Sequence, residues 1–412
     1  MSRSIFTDEQ GRNFALPFIL ISCLFFLSGY TNALLDVLNK YFQEVLGISK
    51  AESGLVQFSL YSGYFLMAIP AGLIINRFGF NRGLIFGLLV LIAGTALFVP
   101  GAMLKSYYVF LCALFIIACG FTFFETAANP YATLLGRKDA STRRINLAQS
   151  FNGIGWIIGP LVGGLIIFSD AAQAGQYDFD YLPIPFVILG VAILVILILL
   201  LYRPLPDLLH AEGEDESRPV NAATRKHFSK HPHFILAIVS QFFYVAAQTG
   251  INSFFINYVT EADASISNQQ ASVLLSFGGM SLFVIGRFSG SYFMKWMKPD
   301  RLLSLYAIAS VLLMVCAVMN MKTYSIIALF MSYFFMSIMY PTIFALGIRG
   351  LGEQTKKAAS YLVMGIMGGA LCPIFMGWIA DQYSMAIGFV VPLICFVFVA
   401  FYGLIGHRFG DA

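Results

Sequence analysis

The chain has 412 residues, of which 58% are hydrophobic and only 11% are charged, with a formal net charge of +4. Soluble domains carry roughly 25% charged residues, and a water-soluble protein of this size could not cover its surface with so few. The composition therefore excludes a soluble globular enzyme, a disordered protein and a nucleic-acid-binding protein. It predicts an integral membrane protein that crosses the bilayer many times.

Twelve apolar segments are long enough to span a membrane as helices, which requires about 20 residues each. They are predicted near 15–38, 52–76, 82–102, 107–135, 145–169, 183–202, 233–258, 270–294, 302–320, 324–348, 358–381 and 385–406. The first segment lacks a following small-residue cleavage site, so we expect it to stay as a membrane anchor. The polar stretch 203–232 predicts a cytoplasmic linker. The sequence thus predicts an all-α membrane protein with 12 transmembrane helices in two six-helix pseudo-symmetric halves, 1–202 and 233–412.

The lysines and arginines predict the orientation, because they concentrate in cytoplasmic loops. With both termini in the cytoplasm, only Lys40, Lys50, Lys105 and Lys322 fall outside, and the other 21 of the 25 basic residues fall inside. One missed helix would invert every later loop, so this bias supports the count of twelve.

Short sequence echoes relate the two halves. A Leu-Gly pair begins five residues after Pro130 and again five residues after Pro341, and a basic residue follows Gly72 and Gly290 by five positions. Two repeated halves joined by a linker are a common plan of secondary transporters. Chance similarity is the alternative, and the count of spans does not depend on these echoes.

Apart from Glu52 and Asp381, which are the end residues of their spans, two acidic residues lie within predicted spans, Asp36 in the first and Glu125 in the fourth. A carboxyl group in the bilayer core is costly and normally faces a cavity or a partner. Removal from water disfavours its charged form, so it can exchange a proton near neutral pH, as a proton-coupled carrier requires. The structural alternatives are a hydrogen-bonded carboxyl for Glu125 and an ion pair with Lys40, one turn away, for Asp36.

Uncharged polar side chains form stripes at helical spacing on several predicted spans. The residues of these stripes that we expect to bind substrate are Asn32, Gln57, Tyr61, Asn129, Gln149, Asn152, Gln248 and Asn252, together with Glu125. Because lipid would penalise them, the stripes predict a shared hydrated cavity, with bonding between helices as the alternative. Amides and hydroxyls both donate and accept hydrogen bonds, which suits a neutral polyhydroxylated solute. No cluster of intramembrane basic residues favours a sugar phosphate or a dicarboxylate.

Nothing in the sequence indicates an enzyme, a metal site or a cofactor. The six cysteines all lie in apolar runs without a CxxC pair, and no Gly-x-Gly-Asp or His-Glu-x-x-His motif occurs. Small buried thiols are the ordinary interpretation of such cysteines. We therefore expect no catalytic residue and no bound cofactor.

Several motifs add a family resemblance. They are Gly54-Leu-Val-Gln57 with Tyr64-Phe65, Ile69-Pro-Ala-Gly72, Glu125-Thr-Ala-Ala-Asn129-Pro130, Asn146-Leu-Ala-Gln149, Ala247-Gln248-Thr249 and Tyr340-Pro-Thr-Ile-Phe344. Over nearly the whole chain the sequence resembles the fucose/galactose/glucose:proton symporter family of the major facilitator superfamily. The resemblance implies the corresponding twelve-helix fold and a secondary active transporter that imports a neutral monosaccharide, L-fucose or a related hexose, by proton symport through alternating access.

The resemblance also implies roles for individual residues. Asp36 and Glu125 match the family's two membrane carboxylates, which act in proton coupling and sugar recognition, and Gln149, Asn152 and Tyr340 match cavity positions. Fucose-transporting members have a tryptophan where this chain has Ser28, so the resemblance does not predict which sugar is transported.

The expected setting is the bacterial inner membrane, with both termini cytoplasmic. The expected partners are a monosaccharide and the lipid bilayer, with no nucleic acid, and the chain is expected to be a monomer. The coupling ion is expected to be a proton, with sodium as one alternative function and proton-coupled drug export as another.

Overall fold

Long helices dominate the computed structural model, which describes residues 6, 12–136, 141–168, 179, 181–206, 231–349, 351, 361–362 and 364–409. The first half contributes α1 Ala15–Leu46, α2 Lys50–Ser53, α3 Leu55–Phe78, α4 Phe80–Ala96, α5 Phe98–Met103, α6 Tyr107–Leu134, α7 Ser141–Ile167 and α8 Pro183–Tyr202. The second half contributes α9 Pro232–Ala262, α10 Asn268–Leu274, α11 Ser281–Phe293, α12 Pro299–Val318, α13 Thr323–Met336, α14 Met339–Gly347, α15 Gly368–Gln382, α16 Met385–Gly388 and α17 Val390–Leu404.

The predicted all-α membrane fold is confirmed. Within the described residues, eleven helical segments are long and apolar enough to cross a bilayer, and they match eleven of the twelve predicted spans. The remaining prediction, 358–381, lies partly outside the described residues, and its described part ends in α15. Most of the predicted linker, 207–230, also lies outside them.

Several spans are built from consecutive helices rather than one. A π-helical turn, Leu275–Met280, joins α10 to α11, and α13 ends at Met336 before α14 begins at Met339. The second break precedes Pro341, whose ring nitrogen has no hydrogen to donate to the carbonyl of Ser337, four residues earlier. Arg287 of α11 donates to that carbonyl through Nε at 3.4 Å. A side chain from a neighbouring helix thus replaces the missing bond, as the bilayer requires.

Contacts divide the chain into two compact units. Unit 1 comprises Met1–Leu34 and Ser62–Asn221, and unit 2 comprises Leu35–Tyr61 and Ala222–Ala412. Both α1 and α3 therefore contribute one end to each unit. The boundaries of the two predicted six-helix halves stay a prediction.

Glycines set the close packing of α1 against α7 in unit 1. A Cβ on Gly155 would lie 2.3 Å from the carbonyl oxygen of Phe26, and one on Gly159 would lie 2.7 Å from that of Tyr30. Backbones that approach this closely leave no room for larger side chains. This contact holds the part of α1 that carries Ser28 and Asn32.

In unit 2, the short helix α2 packs on α15 in the same way. A Cβ on Gly377 would lie 2.5 Å from the main chain of Lys50. Ser49 and Glu52 form a capping box at the start of α2. The carboxylate of Asp381 accepts the main-chain N–H groups of Lys50 and Ala51, both at 2.9 Å. Two uncapped donors of the helix start are thereby satisfied from α15.

Candidate functional site

The Glu125 carboxyl group in α6 is held by hydroxyl groups from two other helices of unit 1. Ser28 of α1 donates to Oε1 at 2.7 Å, and Tyr64 of α3 donates to the same oxygen at 3.2 Å. Ser28 and Tyr64 are buried, whereas Glu125 itself is exposed. Among the described residues, Oε2 has no hydrogen-bond partner. Glu125 therefore has one fixed oxygen and one that is open to a ligand.

The other predicted residues of unit 1 are Asn32, Asn129, Gln149 and Asn152. Asn32 is half-buried, donates to the carbonyl of Ser28 at 2.9 Å and interacts with Tyr64. Asn152 donates to the carbonyl of Phe25 at 3.0 Å, so its amide bonds α7 to α1. Gln149 is half-buried near the start of α7, and the side chain of Asn129 lies outside the described part of the chain.

Asp36 is 2% exposed in the second part of α1, within unit 2. Gln57 of α3 donates to its Oδ1 at 3.3 Å, which joins a predicted proton-coupling residue to a predicted substrate-binding residue. Its Oδ2 is buried without a partner in the described residues, as is the hydroxyl of Tyr333 on α13, which interacts electrostatically with Asp36. Asp36 thus lies in a buried polar pocket of unit 2.

Lys40 does not pair with Asp36 in the structure. Its Nζ lies 2.6 Å from Oε1 of Glu44, one turn further along α1. Because Lys40 is engaged there, the ion-pair explanation for Asp36 is not supported.

Tyr61 of α3 meets the second half of the chain within unit 2. Its hydroxyl lies 3.1 Å from Oγ1 of Thr249 on α9. A Cβ on Gly369 would lie 2.8 Å from both the Tyr61 ring and that Oγ1, so the bare glycine makes room for the pair.

The remaining predicted residues of unit 2 lie on α9 and α14. Gln248 is half-buried, and Asn252 is 4% exposed with its Oδ1 unpaired within the described chain. Tyr340 is half-buried and meets the ring of Tyr244 edge to face, with 6.3 Å between centroids. Both amide atoms of Gln241 are also buried without a described partner.

Sequence reasoning missed some members of these clusters. Ser28 and Tyr64 belong to polar stripes, but spacing along one helix cannot show that both meet Glu125. Thr249 is part of a resemblance motif but has no predicted role, and Tyr333 has no sequence signal, since single hydroxyl residues are common in membrane helices. The structure brings Glu125 together with Ser28 and Tyr64 in unit 1, and Asp36 with Gln57 in unit 2. Whether the predicted residues bind substrate stays a prediction.

A membrane carboxyl group that is held by two hydroxyls and is exposed on one side can exchange a proton with water and hydrogen-bond a solute, which a proton-coupled carrier requires. Comparison with known proteins decides the class. The model of the Major Facilitator Superfamily matches residues 21–364. The chain belongs to the Major Facilitator Superfamily. It is therefore a multi-pass membrane transporter and not an enzyme.

Relatives within the superfamily match over almost their full length. A glucose/galactose transporter of Brucella abortus is 32% identical over 98% of this chain and 96% of the relative. The L-fucose-proton symporter of Escherichia coli is 33% identical over 95% of this chain and 93% of the relative. The crystal structure of the superfamily transporter FucP in the outward conformation has a TM-score of 0.68 and 32% identity, and the match covers 97% of this chain and 100% of that one.

Proposed function

We propose that this transporter imports a neutral monosaccharide together with a proton by alternating access. The relatives that match it over nearly their whole length are named for glucose, galactose or L-fucose, and one is named a proton symporter. The observation that carries the proposal is the exposed Glu125 carboxyl group, held on one oxygen by Ser28 and Tyr64 and open on the other. The proposed setting is a bacterial inner membrane with both chain termini in the cytoplasm.

In this mechanism Glu125 carries the coupled proton. Protonation from outside neutralises the carboxyl group and lets Oε2 act as a hydrogen-bond donor or acceptor toward a sugar hydroxyl. Asn32 lies one turn from Ser28, and Gln149 and Asn152 lie on the neighbouring α7. We propose that these amide side chains bind further sugar hydroxyls. After the site opens inward, release of sugar and proton returns Glu125 to its charged form.

Asp36 acts at a second point of the cycle. It is buried in unit 2 with Gln57 on one oxygen and no described partner on the other. A charged carboxylate with an unpaired buried oxygen is costly, so this packing favours a protonated Asp36. We propose that opening of the site to the outside exposes Asp36 and lets its proton exchange.

A proton suits the Glu125 site better than sodium does. Both hydroxyl groups point their hydrogens at Oε1, and each hydrogen occupies a lone pair that a metal cation would need. A sodium ion would have to displace these donors to bind Oε1, or bind Oε2 together with other oxygen ligands. Sodium coupling is therefore an outcome to test, and drug export is another.

The decisive experiment uses proteoliposomes and the matched Glu125→Gln variant. Glutamine has the shape of a protonated glutamic acid, so we expect exchange of internal for external sugar to continue while accumulation driven by a pH gradient is lost. Wild-type protein should alkalinise the outer medium when its sugar is added, with L-fucose, galactose, glucose, mannose, N-acetylglucosamine and D-arabinose as the panel. Full accumulation by Glu125→Gln would refute the coupling role. Uptake driven by a sodium gradient alone would establish sodium coupling instead, and efflux of dyes without any sugar response would favour export.

A further inference from the structure

The two hydroxyls on Glu125 come from separate helices and converge on one oxygen atom. Ser28 lies on α1 and Tyr64 on α3, while Glu125 lies on α6. The Ser28 distance of 2.7 Å is in the range of hydroxyl-to-carboxylate hydrogen bonds, which are shorter and stronger than those between neutral groups. The Tyr64 distance of 3.2 Å is longer, so Ser28 makes the stronger contact.

Burial makes this arrangement asymmetric. Ser28 is 1% exposed and Tyr64 is 7% exposed, so both donors lie on the packed side of the carboxyl group. The close approach of α1 to α7 at Gly155 and Gly159 fixes the backbone near Ser28. Glu125 itself is exposed. The exposed side is where a proton or a solute can arrive.

A nearby cation could also stabilise the carboxylate of Glu125, so the charged groups on the neighbouring helices have to be considered. Of the neighbouring helices, α3 contributes Tyr64 as a titratable side chain, and α1 contributes only the hydroxyl of Ser28. In the described parts of α4 and α7, no lysine, arginine or histidine forms an ion pair with Glu125. Among the described residues, the hydroxyl donors Ser28 and Tyr64 are therefore the groups that stabilise the charged form.

We infer that Ser28 and Tyr64 are positioning residues that stabilise the carboxylate of Glu125 through Oε1 and leave Oε2 as the oxygen that exchanges the proton. This inference rests on the proposed coupling role of Glu125 and extends it. A carrier must release its proton on the inner side, and a carboxyl group facing only an apolar pocket would hold it too firmly. The two hydroxyls supply the stabilisation that makes release possible.

The test is an infrared titration of the Glu125 carboxyl band in purified, reconstituted protein. The band is assigned by its loss in Glu125→Gln, which needs no transport. Without one donor the charged form is less stable, so Ser28→Ala and Tyr64→Phe should each move the midpoint of the titration to higher pH. The loss of a hydrogen bond to a charged group corresponds to a shift of about one to two pH units, and we expect the larger shift in Ser28→Ala. Ser28→Thr keeps a hydroxyl and should restore the midpoint.

Two matched controls remove hydroxyls that do not touch Glu125. Thr31→Val removes a hydroxyl bonded to the carbonyl of Leu27 on the same helix as Ser28. Tyr30→Phe removes a buried hydroxyl that has no partner in the described structure. Neither should move the midpoint. The inference is overturned if Ser28→Ala and Tyr64→Phe both titrate like wild type, or if the controls shift as far as they do.

This outcome is separable from failure of the proposed function. If Glu125→Gln still accumulates sugar, coupling by Glu125 is wrong, yet the infrared midpoints still report whether the two hydroxyls stabilise its charge. If coupling is lost in Glu125→Gln but the midpoints do not move, the proposed function stands and the positioning role falls. Where both hold, the pH of half-maximal uptake should follow the infrared midpoint across the variants.

Discussion

The side-chain amide of Asn39 donates to the main-chain carbonyl of Ser253 at 2.8 Å, joining α1 to α9. One turn further on, the amide of Asn257 donates to the side chain of Gln43. Both pairs are separated by 214 positions in the sequence. Equal separations show that α1 and α9 run parallel in a single register within unit 2. The basic residues predict that this end of both helices faces the outside.

We predict that Asn39 tolerates an apolar residue better than an acidic one. Asn39→Leu removes one hydrogen bond but also removes Oδ1, which is buried without a described partner. We expect it to lower the free energy of unfolding by less than about 1 kcal/mol. Asn39→Asp turns a carboxylate oxygen toward the Ser253 carbonyl. It should lower the free energy of unfolding several times more than Asn39→Leu does. Unfolding in mixed micelles, followed by circular dichroism, measures both variants, and equal losses would contradict the prediction.

We predict that Asp381 stabilises unit 2 more than the ion pair beside it does. Asp381 accepts two main-chain N–H groups of α2, and Asp381→Asn should cost about 1–2 kcal/mol. The Nζ of Lys50 lies 2.6 Å from Glu261, but that carboxylate is 41% exposed. Such surface pairs contribute about 0–1 kcal/mol and weaken in salt. Unfolding is measured at low and high sodium chloride concentration. Lys50→Met should lower the free energy of unfolding less than Asp381→Asn does, and its effect should shrink as salt is added.

We predict that the need for Arg287 depends on Pro341. Arg287→Gln leaves the Ser337 carbonyl without the donor that replaces the missing proline N–H, and we expect a loss of about 1–2 kcal/mol. In a Pro341→Ala background a helical N–H becomes available, so the same change should cost less. A double-mutant cycle of unfolding free energies measures this coupling. Strict additivity would show that Arg287 acts elsewhere.

We predict that Gly369→Ala impairs transport without unfolding the protein. The new methyl group would meet the Tyr61 ring and Thr249, and Tyr61 must rotate away. If Tyr61 contacts the sugar, KM should rise by up to about tenfold, the equivalent of one hydrogen bond. Gly72→Ala is the control, because its Cβ would meet nothing closer than 4.0 Å. Uptake kinetics at matched expression distinguish the two variants. An unchanged KM for Gly369→Ala would show that Tyr61 does not contact the sugar.

Hydrophobic length and charge bias were sufficient to predict the spans. Each span found in the described residues is long and apolar enough to cross a membrane. The first helix, Ala15–Leu46, continues eight residues beyond its predicted end at 38. The break between α13 and α14 was not predicted, although Pro341 was visible. A proline inside a membrane helix is tolerated when a neighbouring group satisfies the freed carbonyl, and α3 continues through Pro70.

The candidate site was predicted only as single residues. Asp36 and Gln57 lie on separate predicted stripes, and the structure joins them. The partners of Glu125 could not be found by spacing, because Ser28 is 97 positions away and contacts it through tertiary packing. Spacing along one helix can also suggest a wrong partner. Lys40 lies one turn from both Asp36 and Glu44, and in the structure it pairs with Glu44.

The contact between Arg287 and Ser337 limits how far the two halves can be interchanged. The echo of Gly72 with Gly290 aligns Arg287 with Ile69, an apolar residue on the surface of α3. Isoleucine has no donor for a freed carbonyl. A chimera that duplicated the first half in place of the second would therefore have no equivalent of this guanidinium. An engineered broken helix at the position of α13 and α14 would need an arginine grafted with it.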